Sequence, residues 1–90
     1  MGIFSFFYSL IQLPQRLTIR RDCEMLVKEG NKLYAHVESS RERAKWVLEH
    51  FKQNCYENIW RKYPPDVLPI FEEERSRMIN KIANIIFNEK

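Results

Sequence analysis

Ninety residues, with 15 Lys and Arg against 12 Asp and Glu, allow one domain of net charge +3. A hydrophobic fraction of 44% and a charged fraction of 30% are those of a folded chain, and two Gly are too few for the turns of an all-β fold. The chain also lacks a nucleophile elbow, a phosphate loop and any His or Cys set at metal-ligand spacing, so the sequence predicts no catalytic residue, no metal and no cofactor.

The charge is not evenly spread. Residues 1–21 carry Arg16, Arg20 and Arg21 and no acid. Residues 22–63 hold eight bases and seven acids, and residues 64–90 hold four bases and five acids. The body is therefore close to neutral, without the basic stripe of a nucleic-acid binder.

The first element is an apolar helix. Residues 2–13 read Gly-Ile-Phe-Ser-Phe-Phe-Tyr-Ser-Leu-Ile-Gln-Leu. Gly2, Ser5, Ser9 and Gln12 fall in a polar wedge about 80° wide, and the rest of the circumference is apolar. Pro14 predicts an end or a bend near Leu13. Twelve residues make about 18 Å of helix, short of the roughly 30 Å hydrocarbon core, so the segment cannot span a bilayer. No Lys or Arg precedes it and no small-residue cleavage site follows, which argues against a secretory signal. Phe6 stands where a myristoylation motif has Ser or Thr. The order of apolar run then basic cluster predicts a membrane-interface helix. Ile3, Phe4, Phe6, Phe7 and Leu10 would enter the acyl boundary, while Arg16, Arg20 and Arg21 meet lipid phosphates. Otherwise the same apolar sector packs on the body or on a partner.

The second element is a long central helix over residues 18–62. Ile19, Cys23, Leu26, Gly30, Leu33, Val37, Ser40, Ala44, Val47 and Phe51 alternate by four and three, a heptad seam in phase. Thr18 is a candidate N-cap. Gly30-Asn31 is the one place where this helix could break into a hairpin, but the unbroken phase favours continuity. The bases and acids of residues 38–45 alternate along the helix, as on a solvated face. Trp46, Phe51, Ile59 and Trp60 mark where another helix would lie.

Tyr63-Pro64-Pro65-Asp66 stops this helix. The last helix, about 67–88, begins between Asp66 and Pro69 and runs antiparallel to the C-terminal part of the central one. Glu72, Glu73 and Glu74 point about 100° apart and suit the positive end of the macrodipole, so they read as dipole compensation and solvation. Phe71, Met78, Ile82 and Ile85, widened by Ile79, Ala83, Ile86 and Phe87, form the core stripe. The helix–helix interface thus comprises Leu26, Leu33, Val37, Val47, Phe51, Phe71, Met78, Ile82, Ile85 and Ile86. The last helix can cover about Ala44 to Ile59, which leaves Ile19 to Val37 for a partner to bury.

Cys23 and Cys55 read either as reduced, partly buried thiols or as a staple between antiparallel helices. The whole predicts an all-α protein with an anchor over residues 1–17 and a helical-hairpin body over residues 18–90. Its predicted role is that of a non-catalytic interaction protein, a small accessory or assembly subunit of a membrane-associated complex. It would bind protein partners or its own copies, and no nucleic acid. It would sit peripherally on a membrane, in a reducing compartment or at an organellar inner membrane. The alternative is a soluble, cytoplasmic homo-oligomeric module: a regulator, inhibitor or immunity-type protein.

Overall fold

The computed structural model describes residues 2–88, with side chains described from Pro14 to Asn88. The chain is all-helical. Helix α1 spans Gly2–Leu33, α2 spans Ser40–Asn58 and α3 spans Leu68–Asn88. Two short 3-10 turns, Trp60–Lys62 and Pro65–Val67, carry the chain through the Pro-Pro region between α2 and α3. Each of the three helices packs on the other two.

The central helix of residues 18–62 does not form. Helix α1 passes through Gly30, which has no positive φ, and the chain breaks instead at Tyr34–Ser39. Several local bonds make that break. The Tyr34 N–H donates to the Gly30 carbonyl (3.0 Å), and the Val37 N–H donates to the Tyr34 carbonyl (3.0 Å). Arg43 donates from Nη2 to the Val37 carbonyl. Ser39 is extended (φ −73°, ψ 123°) and its hydroxyl accepts from the Glu42 N–H at 3.2 Å, an N-cap for α2. The seam kept its phase because its two halves fold onto each other. Ile19, Cys23, Leu26 and Gly30 on α1 are buried, as are Ala44, Val47 and Phe51 on α2. The part of the seam expected to need a partner is therefore covered inside the chain from Ile19 to Gly30. Leu33 is exposed and Val37 half-buried, because they fall where the chain turns.

Gly30 serves close packing, not a turn. A Cβ placed there would lie 3.2 Å from His50 Cδ2 and 3.4 Å from Val47 Cγ1. The absent side chain lets α1 and α2 approach at their crossing.

Three further boundaries differ from expectation. Pro14 lies inside α1 and does not end it. Proline removes one intrahelical bond, at a cost of about 3 kcal/mol, but leaves the flanking bonds possible. Thr18 is no N-cap: its hydroxyl donates back to the Pro14 carbonyl at 2.9 Å. Helix α2 also stops at Asn58, short of residue 62, and residues 60–62 tighten into a 3-10 turn. The last helix begins at Leu68, with Pro69 in its first turn, where a missing N–H leaves no intrahelical bond unmade.

The core runs along all three helices. Phe51 and Phe71 are fully buried at its centre, each contributing about 2–3 kcal/mol by removal from water. Trp60 stacks on Phe71 (centroids 5.4 Å apart, 29° between planes), and Tyr56 meets Phe71 edge-on at 5.2 Å. Leu26, Val47, Met78, Ile82 and Ile86 are buried with them. Ile85 and Phe87, expected in the same stripe, are not: both are exposed on the flank of α3.

Candidate functional site

The best-defined polar constellation joins α1 to α3. Arg16 and Arg20 are four residues apart, so they share one face of α1. Glu73 and Glu74 stand in the second turn of α3. Arg16 bonds Glu73 at 2.7 Å and Glu74 at 3.1 Å. Arg20 Nε donates to Glu74 Oε1 at 2.7 Å, and its Nη2 donates to Oε2 at 3.3 Å, a bidentate pairing. Arg77, one turn further along α3, adds a bond to Glu74 at 3.3 Å and reaches Glu24 at 3.8 Å.

Glu74 is only 2% exposed, while its three guanidiniums remain in partial contact with water. Its carboxyl is held below the usual carboxylate range. The Arg20 hydrogen bond is the largest cause, against the opposing effect of burial, and the Arg16 and Arg77 bonds add to it. The Arg16 guanidinium is held correspondingly up, first by its bond to Glu73. The triple Glu is therefore not a uniformly solvated run. Glu72 and Glu73 are exposed, and Glu74 is the one buried charged side chain among the described residues.

The cluster changes the part assigned to the basic run after the apolar segment. Arg16 and Arg20 are occupied by carboxylates of the same chain. Arg21 is exposed and makes no ion pair among the described residues. The side chains of Ile3, Phe4, Phe6, Phe7 and Leu10 lie outside the described residues; their backbone belongs to α1.

A second polar contact ties α1 to the Pro-Pro turn. The Tyr63 hydroxyl donates to Asp22 Oδ2, and Lys62 lies 3.7 Å from the same oxygen. Burial and the Asp22 carboxylate both push the Tyr63 hydroxyl up, so it stays a proton donor.

The thiols lie in the core. Cys23 and Cys55 are both free and both buried. Burial pushes the Cys23 thiol up to about 12, and the neighbouring Cys55 adds to the effect. Arg75 Nε donates to Cys55 Sγ at 3.2 Å, and the Arg75 guanidinium lies over the Tyr56 ring, 5.3 Å from its centroid.

Apolar side chains also reach the surface. Met25 on α1 is 62% exposed and Phe87 on α3 is 79% exposed; Leu17, Leu33, Trp46 and Ile85 are about half exposed. Trp46 is partly covered by Tyr34, stacked on it at 5.7 Å. A shallow groove between α1 and α3 is lined by Val27, Asn31, Ile82 and Ile85, with Lys28 and Lys81 on its rim. No group of three or more His, Cys, Asp or Glu that could hold a metal occurs among the described residues. No helix among them is long and apolar enough to cross a membrane.

Several of these residues do carry a signal in the sequence. Ser39-Ser40-Arg41-Glu42 is a capping-box sequence and marks the start of α2. Glu74 follows the Phe71 core position by three residues and precedes Met78 by four, which places it on the buried stripe. The Tyr63–Asp22 contact spans 41 residues and left no local trace.

Comparison with protein-family models, curated proteins and solved structures finds no match to this chain. What the fold defines is a class: an all-α chain of three mutually packed helices.

Proposed function

We propose that this chain is a non-catalytic helical interaction protein, a small accessory or assembly subunit that docks on a membrane interface through the N-terminal part of α1. One observation carries the proposal. The apolar run of residues 2–13 belongs to the same unbroken helix whose later turns, Ile19 to Gly30, are buried against α2 and α3. A membrane-bound segment would thus be continuous with the folded body, with no flexible linker between them. The run is rich in Phe and is too short to span, which suits a helix lying in the interface plane.

Electrostatic attraction would play a smaller part than the sequence suggests. Lipid phosphates must compete with Glu73 and Glu74 for Arg16 and Arg20, while Arg21 makes no ion pair among the described residues. Burial of the Phe side chains would then dominate, and binding would respond weakly to salt. Flotation of the purified chain with liposomes tests this. The wild type is expected in the lipid fraction, and a Phe4→Glu, Phe7→Glu variant in the soluble fraction with its helical circular dichroism unchanged. Equal recovery of the two with lipid would end the membrane proposal.

A soluble homo-oligomeric binding module is the second reading, and the exposed Met25, Leu33, Ile85 and Phe87 favour it. A compact dimer or tetramer in detergent-free buffer, with no liposome recovery, would establish it in place of the first.

A further inference from the structure

The geometry points to a reversible intramolecular disulfide between Cys23 and Cys55, a covalent lock between α1 and α2. We infer it from register and burial. Gly30 lies level with Val47 and His50 across the α1–α2 crossing, at van der Waals distance. The two helices run antiparallel. Seven residues back along α1 from Gly30, about 10.5 Å or two turns, is Cys23. The same step forward along α2 from residues 47–50 brings the chain to residues 54–57, which contain Cys55. Both cysteines are buried in the same core cluster, on the facing stripes of the two helices. Cys55 is one of the groups that hold the Cys23 thiol up, after burial. The contacts of Cys55 Sγ are with Arg75 Nε and, at 3.7 Å, the Lys52 carbonyl.

The step needs a two-electron oxidant, here a low-molecular-weight disulfide such as glutathione disulfide. One cysteine, as thiolate, attacks a sulfur of the oxidant and releases one equivalent of reduced thiol. The second cysteine then attacks the mixed disulfide at the protein sulfur and releases the other equivalent. The protein loses two hydrogens and two electrons, and the oxidant is reduced to two thiols. Both sulfurs are buried, so the first attack requires a transient separation of α1 from α2. Reduction reverses the sequence. The bridge closes a loop from residue 23 to residue 55 that includes the Tyr34–Ser39 break, and restrains the unfolded chain accordingly. This lock does not depend on where the N-terminal part of α1 docks.

The full chain, refolded from urea in an oxidised and reduced glutathione buffer, tests the proposal by mass spectrometry after alkylation. The expected product is a monomer lighter by two hydrogens, with neither cysteine alkylated and helical content unchanged. Its unfolding equilibrium constant should fall by about 10²–10³-fold relative to the reduced chain, as expected for a loop of this length. Cys23→Ala and Cys55→Ala variants should show no such product and take up a single glutathione. Two free thiols after oxidative refolding, two glutathione adducts, disulfide-linked dimers, or a bridged chain that unfolds more readily than the reduced one would each overturn the proposal.

Discussion

Replacing Glu74 by Gln removes one charge and almost no volume from the junction of α1 and α3. In the native chain that carboxylate accepts from Arg16, Arg20 and Arg77 at 2.7–3.3 Å while only 2% exposed. Removing one partner of a fully buried ion pair costs about 3–5 kcal/mol, because the other charge is stranded. Here the stranded groups are guanidiniums whose side chains are 29–41% exposed, so they can turn toward water. The Gln carbonyl can also keep one of the bonds. The expected loss is therefore about 2 kcal/mol, or roughly a 10 °C fall in melting temperature for a domain this size. Urea unfolding followed at the helical circular-dichroism band measures it directly. A second signature is pH. The folded-state pKa of Glu74 is depressed, so its stabilisation is fully present above the unfolded value near 4.5 and is lost as pH falls through the folded value. Wild-type stability should drop below about pH 4.5 more steeply than that of Glu74→Gln, and the two should converge in acid. A Glu74→Gln chain with the wild-type urea midpoint at pH 7, or acid profiles that run parallel, would show that the cluster adds nothing to the α1–α3 junction.

Two other changes probe the α1–α2 junction. Ser39→Ala deletes the side-chain acceptor for the Glu42 N–H and should cost about 1 kcal/mol in urea unfolding. Ser39→Asp should retain most of that stability, since its carboxylate can cap the same N–H. Gly30→Leu drives a bulky side chain into His50 and Val47 and should destabilise by about 2–3 kcal/mol despite the better helix propensity of Leu. The His50 ring is held on two sides: its Nδ1 lies 3.4 Å from Asn54 Nδ2, and it meets Tyr34 edge-on. A Gly30→Leu chain as stable as wild type would mean that the crossing is looser than the Gly30 contacts indicate.

The helical class, the Pro-Pro stop and the antiparallel last helix could be read from the sequence, because proline placement and apolar period act locally. The buried status of Ile19, Cys23, Leu26, Val47 and Phe51 follows the same period. What periodicity could not reveal was what the seam faces. A heptad stripe that runs straight into a partner and one that doubles back on itself have the same spacing. Six residues, Tyr34 to Ser39, decide between them, and the turn signal there is a serine cap with no proline or glycine. Gly30 drew attention as a breaker when its conformational freedom was not the point; the volume it leaves is. The arginine run showed a similar limit. Sequence order put Arg16 and Arg20 beside an apolar segment, whereas tertiary packing put them on Glu73 and Glu74, more than fifty residues away. An ion pair of that separation has no period to betray it.

The Arg16–Arg20 pair sits near the midpoint of α1. Helix α1 has 14 residues before Arg16 and 13 after Arg20, so the two arms are each about 20 Å long. The buried turns from Ile19 to Gly30 fix the later arm against α2 and α3, and the pairings with Glu73 and Glu74 fix the middle, so two separate sets of contacts set the direction in which the earlier arm leaves the body.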